Sequence, residues 1–169
     1  MTVFNSISFK STLHFFKRGI QLTASVALFN DKVGDFRWCE GASMLPTLNA
    51  TGDLLLHRPL SSSDLKNQLS RGDLVDFVSP LNHSVLACKR IIGLPGDCIL
   101  ADPRDPANST VIVPTGHLWL CGDNYSMSVD SRTYGPVPLG LVRGKIVARV
   151  WPKFTSLSTP FEYEEVPLK

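Results

Sequence analysis

The chain has 169 residues, 43% of them apolar and 19% charged, with twelve glycines, twelve prolines and a formal net charge of +2. That balance excludes wholesale disorder, and a charge this small with no Lys/Arg-rich block does not suggest a nucleic-acid binder. So many glycines and prolines argue against a helical bundle and for short strands joined by turns.

No Asp or Glu precedes Asp31. Lys10, Lys17 and Arg18 stand among Ser6, Ser8, Ser11 and Ser25, while Phe4, Ile7, Phe9, Leu13, Phe16, Ile20 and Leu22 recur at spacings near three and four. A basic, serine-containing, acid-free amphipathic stretch has the composition of a mitochondrial import segment. Only Gly19 to Phe29 runs apolar without a charge, whereas a helix needs about 20 residues to cross a bilayer. A span from Leu13 to Phe29 therefore competes with a helix lying in the interface and with a plain amphipathic helix packed on the domain.

From Asp53 the pattern becomes strand-like. Asp53–His57, Asp73–Val78, Ser84–Ile92, Cys98–Ala101, Thr110–Val113, His117–Cys121 and Arg143–Trp151 are short runs rich in Val, Ile and Leu, mostly bounded by Gly, Pro, Asn or Asp. They predict a mainly β domain with an antiparallel, barrel-like or sandwich-like sheet. Ser63 is placed to cap a short helix through Leu69, Asp102–Ser109 reads as a surface loop, and the stretch after Trp151 reads as a tail with little packing. Cys39, Cys88, Cys98 and Cys121 form no C-x-x-C pair and have no histidine at zinc-finger spacing. Free thiols are expected, with no metal site. Nothing in the chain calls for a cofactor.

Three stretches carry chemistry. In Gly41-Ala42-Ser43-Met44-Leu45-Pro46-Thr47-Leu48, small neighbours let a substrate backbone approach a serine hydroxyl; a serine beside Gly and Pro is, equally, ordinary turn chemistry. In Ser84–Ile92, a strand puts Val85, Ala87, Lys89 and Ile91 on one face, so Lys89 projects among apolar neighbours. Desolvation there lowers the amine's pKa, and a neutral amine can take a serine proton. An edge strand with Lys89 reaching solvent is the competing reading. Gly122 to Gly135 is rich in turn formers, and Asp130 with Arg132 suits a bidentate pair that fixes the loop.

Taken together, these stretches closely resemble the boxes of the type I signal peptidase family from about Trp38 to Trp151. The resemblance rests on Ser43 to Leu48, Arg71-Gly72-Asp73-Leu74-Val75, Lys89 to Asp97, Gly122-Asp123-Asn124 and Ser128-Val129-Asp130-Ser131-Arg132 through Gly135. Cys88 directly before Lys89, Gly116-His117-Leu118-Trp119 and the acid-free N-terminus resemble the mitochondrial inner-membrane branch, of its subunit 1 type.

That resemblance implies a serine endopeptidase with a largely antiparallel catalytic core at a membrane surface. Ser43 would be the nucleophile and Lys89 the general base. Ser128 would orient the lysine amine, Asp130 and Arg132 would form a structural ion pair, and Met44 would line the substrate pocket. Gly41 departs from bacterial members that place a serine hydroxyl there as an oxyanion donor, which leaves backbone N–H groups, chiefly that of Ser43. The expected organisation is a targeting and anchor segment over residues 1–37, a catalytic domain over 38–152 and a tail over 153–169. The implied task is removal of sorting peptides from precursors delivered to the intermembrane space or inner membrane. Its implied partners are inner-membrane lipid and a related second subunit in a heterodimer, with the catalytic domain facing the intermembrane space. The second subunit type and a bacterial-type signal peptidase share the chemistry. A Ser-His-Asp hydrolase using His57, His83 or His117, a self-cleaving repressor-type protease and an inactive membrane-anchored binding subunit are the other readings. The repressor type needs a DNA-binding module ahead of Ser43, where only about forty residues stand.

Overall fold

The computed structural model describes residues 5–32, 34–61, 68–104 and 110–157. The chain divides into two compact units, Met1–Asp35 and Phe36–Lys169. In the first unit, α1 (Asn5–Lys32) is a continuous helix of 28 residues. Phe15, Phe16, Ile20 and Leu22 on it are exposed. The Thr23 and Ser25 hydroxyls donate back to the carbonyls of Gly19 and Gln21, which satisfies polar groups within the helix itself. Among the described residues no helix is long and apolar enough to cross a membrane.

The second unit is built on strands β1 (Asp35–Cys39), β2 (Asp53–Pro59), β3 (Leu74–Val78), β4 (Leu86–Gly93), β5 (Cys98–Leu100), β6 (Thr110–Ile112), β7 (His117–Cys121), β8 (Val137–Pro138), β9 (Val142–Trp151) and β10 (Thr155–Ser156). Among the described residues one sheet runs β1-β2-β9-β3-β4-β7-β8, with β10 on β9, while β5 and β6 form a separate hairpin. The fold is thus mainly antiparallel sheet, as expected. The sheet is open, however: its path ends at β1 and β8 and closes no barrel.

Period-two alternation builds the core. Leu74 and Val75 are consecutive in β3 and fully buried, yet they enter different clusters, because successive strand side chains point to opposite faces. Val75 packs with Phe77, Ile91, Leu118, Leu120 and Val142. Leu74 packs with Met44, Leu48, Leu55, Ile146 and Leu157.

All seven expected strands form, each end within two residues of its expected place. β1, β8 and β10 were not expected: β1 lacks β-branched residues, and β8 and β10 are two-residue pairings made by their neighbours. The expectation of little packing after Trp151 is corrected for residues 155–157. Thr155 and Ser156 pair with Arg149 and Ala148 of β9, and Leu157 is buried in the core. The chain reverses at Pro152-Lys153-Phe154 and returns along the strand it has just left. Residues 158–169 lie outside the described residues, as does most of the helix expected from Ser63 to Leu69.

Candidate active site

Ala42–Met44 form a single 3-10 turn between β1 and β2. Gly41 enters it at φ +123°, a conformation that only glycine adopts without strain, and its N–H donates to the Ala50 carbonyl at 2.8 Å. Met44 and Leu48 sink into the core after the turn and anchor it. Ser43 is left at the rim, half-buried.

Lys89 reaches this serine from β4, where it lies opposite Val75 of β3. The lysine is only 5% exposed. Its Nζ lies 2.6 Å from Ser43 Oγ and donates to the Cys88 carbonyl at 3.1 Å. Burial pushes the amine's pKa below its usual value, and the nearby Cys88, Asp130 and Asp123 oppose that shift without overcoming it.

The loop after β7 clamps the turn. A Cβ at Gly122 would stand 2.2 Å from Ser128 Oγ and 2.5 Å from the Ser43 carbonyl oxygen, so the close approach there requires glycine. Asn124 donates its backbone N–H to the Ser43 carbonyl and its Nδ2 to the Ala42 carbonyl, each at 3.0 Å. Asp123 accepts two bonds from Arg90, at 2.8 and 2.6 Å, and one from the Thr47 hydroxyl at 2.5 Å. The carboxylates that hold the two sides of the site are therefore tied to Arg90 and Arg132 rather than to Lys89.

Asp130 is fully buried and caps the short helix α2 (Ser131–Tyr134). It accepts a fork from Arg132, Nε at 2.8 Å and Nη2 at 2.7 Å, and the Gly122 N–H at 2.9 Å. Burial alone would raise this carboxyl, but the bonds from Arg132 and Gly122 outweigh it and hold the pKa below the ordinary range. Arg132 also lies 4.5 Å from the centre of the Tyr125 ring and donates to that residue's carbonyl.

Ser43 and Lys89 stand together, and Asp130 pairs with Arg132. Met44 is buried in the core while lining the same cleft. Ser128 packs its buried hydroxyl beside Gly122 and Asp130, and the Lys89 amine donates to the Cys88 carbonyl. Asn124 and the Arg90–Asp123–Thr47 network were not singled out from the sequence. Their types occur within the boxes, but pairing across 33 and 43 residues has no local signal.

The cleft measures about 230 Å³. Ser43, Lys89 and Met44 line it together with Leu55, Cys88 and Ile146. The four cysteines are free thiols. Among the described residues no group of three or more His, Cys, Asp or Glu stands where it could hold a metal ion. His57 does bring Nε2 to 3.0 Å from a carboxylate, that of Asp76, but the Ser43 hydroxyl contacts Lys89.

A family model described as signal peptidase, peptidase S26, matches residues 13–105 and 101–151. The chain is 42% identical over 133 residues to mitochondrial inner membrane protease subunit 1 of Schizosaccharomyces pombe, covering 79% of this chain and 83% of that protein. It is 46% identical over 121 residues to the subunit 1 protein of Mus musculus, covering 71% of each. It is 42% identical over 132 residues to mitochondrial inner membrane protease subunit 2 of Saccharomyces cerevisiae, covering 73% of this chain and 71% of that protein.

Proposed function

The chain belongs to the signal peptidase family S26 and is a serine peptidase, and from that premise we propose that Ser43 is its nucleophile and Lys89 its general base. The observation that carries the assignment is the 2.6 Å approach of the buried Lys89 amine to the Ser43 hydroxyl. In its neutral form the amine accepts the hydroxyl proton as Oγ attacks the scissile carbonyl. The ammonium then passes that proton to the leaving amine, giving an acyl-enzyme. The same amine takes a proton from the water that releases the acid, and regenerates the serine. Backbone N–H groups, chiefly that of Ser43, stabilise the oxyanion. Asp130, Arg132 and Ser128 support the loop that packs on the nucleophile, and Met44 shapes the pocket floor.

The substrates in this reading are precursors delivered to the mitochondrial inner membrane or intermembrane space, from which sorting peptides are removed. Residues 1–37 serve as targeting and anchor segment, with the exposed apolar side chains of α1 against inner-membrane lipid. The catalytic unit faces the intermembrane space. Matches to relatives of both subunit types are consistent with a two-subunit protease, and a related second subunit is the proposed heterodimer partner. The equal identity to a subunit 1 and a subunit 2 protein keeps the second type as the other reading. Complementation of cells lacking one subunit or the other separates them.

The test of the dyad is cleavage of a precursor by the purified full chain in phospholipid vesicles, beside Ser43→Ala. Mapped cleavage that disappears in the variant is expected. Equal cleavage by Ser43→Ala would overturn the assignment.

A further inference from the structure

A second cluster of charge lies in the same cleft and takes no part in the dyad. Arg37 of β1 and Asp76 of β3 both line it. β2 and β9 separate those strands in the sheet, yet Arg37 Nη1 donates to Asp76 Oδ2 across the curl. His57 of β2 brings Nε2 to 3.0 Å from the other Asp76 oxygen. Asp76 and His57 are almost fully buried, whereas Arg37 keeps 32% of its side-chain surface exposed.

The fold makes room for this trio. Gly144 of β9 lies opposite Asp76 in the register, and His57 crosses directly over it. A Cβ at Gly144 would stand 2.1 Å from His57 Nε2 and 2.4 Å from the Arg58 carbonyl oxygen. No side chain fits there while His57 reaches the carboxylate.

The consequence for a bound peptide follows from solvation. Apart from Glu40 and the Ser43–Lys89 pair, the remaining cleft wall is mostly apolar, with Leu55 and Ile146 drawn from the core. A branched aliphatic side chain lodged against Arg37 and Asp76 would strip water from an ion pair and return no hydrogen bond. A side chain carrying a hydroxyl or carboxamide replaces the lost water.

We propose that Arg37 and Asp76, backed by the buried His57, are specificity-determining residues, a polar wall that makes one substrate pocket accept a hydrogen-bonding side chain and reject branched aliphatic ones. The inference rests on the peptidase reading above. It concerns which peptide is cut, not how the bond is broken.

The test uses the full chain in phospholipid vesicles and synthetic peptides spanning a precursor cleavage site. Each position near the cut is set in turn to Val, Leu, Ser or Asn, and the ratio of kcat/KM for aliphatic over polar peptides is read at each. The variants are Arg37→Met with Asp76→Leu, and the isosteric Asp76→Asn. At one position the wild type should favour the polar peptides. The double variant should shift that ratio toward aliphatics by at least about tenfold, and Asp76→Asn should shift it less in the same direction. Unchanged ratios at every position in a folded, active variant would overturn the proposal. So would a wild type that favours aliphatics throughout, or failure of both variants to fold, which would make the trio purely structural. Peptide cleavage that survives Ser43→Ala would instead remove the dyad reading beneath it.

Discussion

Lys89 and Arg90 are consecutive on one strand and meet opposite surroundings. Arg90 turns to Asp123, which takes two of its N–H groups, and to the Gly72 carbonyl at 2.7 Å. That carboxylate stabilises the charged form and raises the guanidinium above its usual pKa. Lys89 turns to a hydroxyl and a carbonyl, and among the described residues no carboxylate forms an ion pair with it. Burial then lowers the ammonium's pKa. Two adjacent cations are thus treated in opposite ways by one strand, because alternation sends them to different faces. The fold stabilises charge where it braces the loop and disfavours it where a base is needed.

The largest effect should come from erasing that contrast. Lys89→Arg puts a permanently protonated group beside Ser43, and kcat should fall by at least about 10³-fold in a peptide-cleavage assay. Activity near wild type would end the general-base assignment. The converse break is Asp130→Asn, which leaves the buried Arg132 without its charged partner. Denaturant unfolding should show a loss of about 3 kcal/mol. The Asp130 carboxyl is lowered in the folded state, so its contribution is present above its unfolded pKa and fades as pH falls through the folded value. Asp130→Asn should flatten that acid limb, and an unchanged limb would refute the pairing as its source.

Lys89 predicts a limb of the opposite origin. Its folded pKa lies below that of the unfolded chain, so between the two values the unfolded state binds more protons and stability rises with pH. The rate should rise through the folded pKa as the amine becomes neutral. In Lys89→Met the alkaline rise in stability should vanish from thermal melts, and persistence would show that another group causes it. The smallest change concerns the turn itself. Gly41→Ser introduces a side-chain hydroxyl two positions before Ser43, but at φ +123° it should cost about 1–3 kcal/mol in unfolding experiments. A variant as stable as wild type and faster would show that the turn relaxes to offer a new oxyanion donor.

The seven runs of β-branched and aliphatic residues were legible because a strand's period is local. Ser43, Lys89, Asp130 and Arg132 were legible through the boxes that resemble the signal peptidase family, whereas their local patterns alone left a turn serine and a solvent-facing lysine open. Arg37, Asp76 and His57 belong to three different strands, and no spacing along the chain joins them. Leu157 follows a Pro-containing reversal, which reads as a tail until β9 is seen to receive it.

Composition and alternation alone determined that this chain makes a β domain after a basic, acid-free amphipathic stretch, and that Lys89 shares a strand face with Val85, Ala87 and Ile91. The tertiary structure decided that Ser43, 46 residues away, stands against that lysine, and that a charged wall crosses the curl of the sheet beside them. Alternation is a property of neighbouring residues. Contacts across the sheet depend on strand order and register, which the open path from β1 to β8 sets only once the whole sheet has formed.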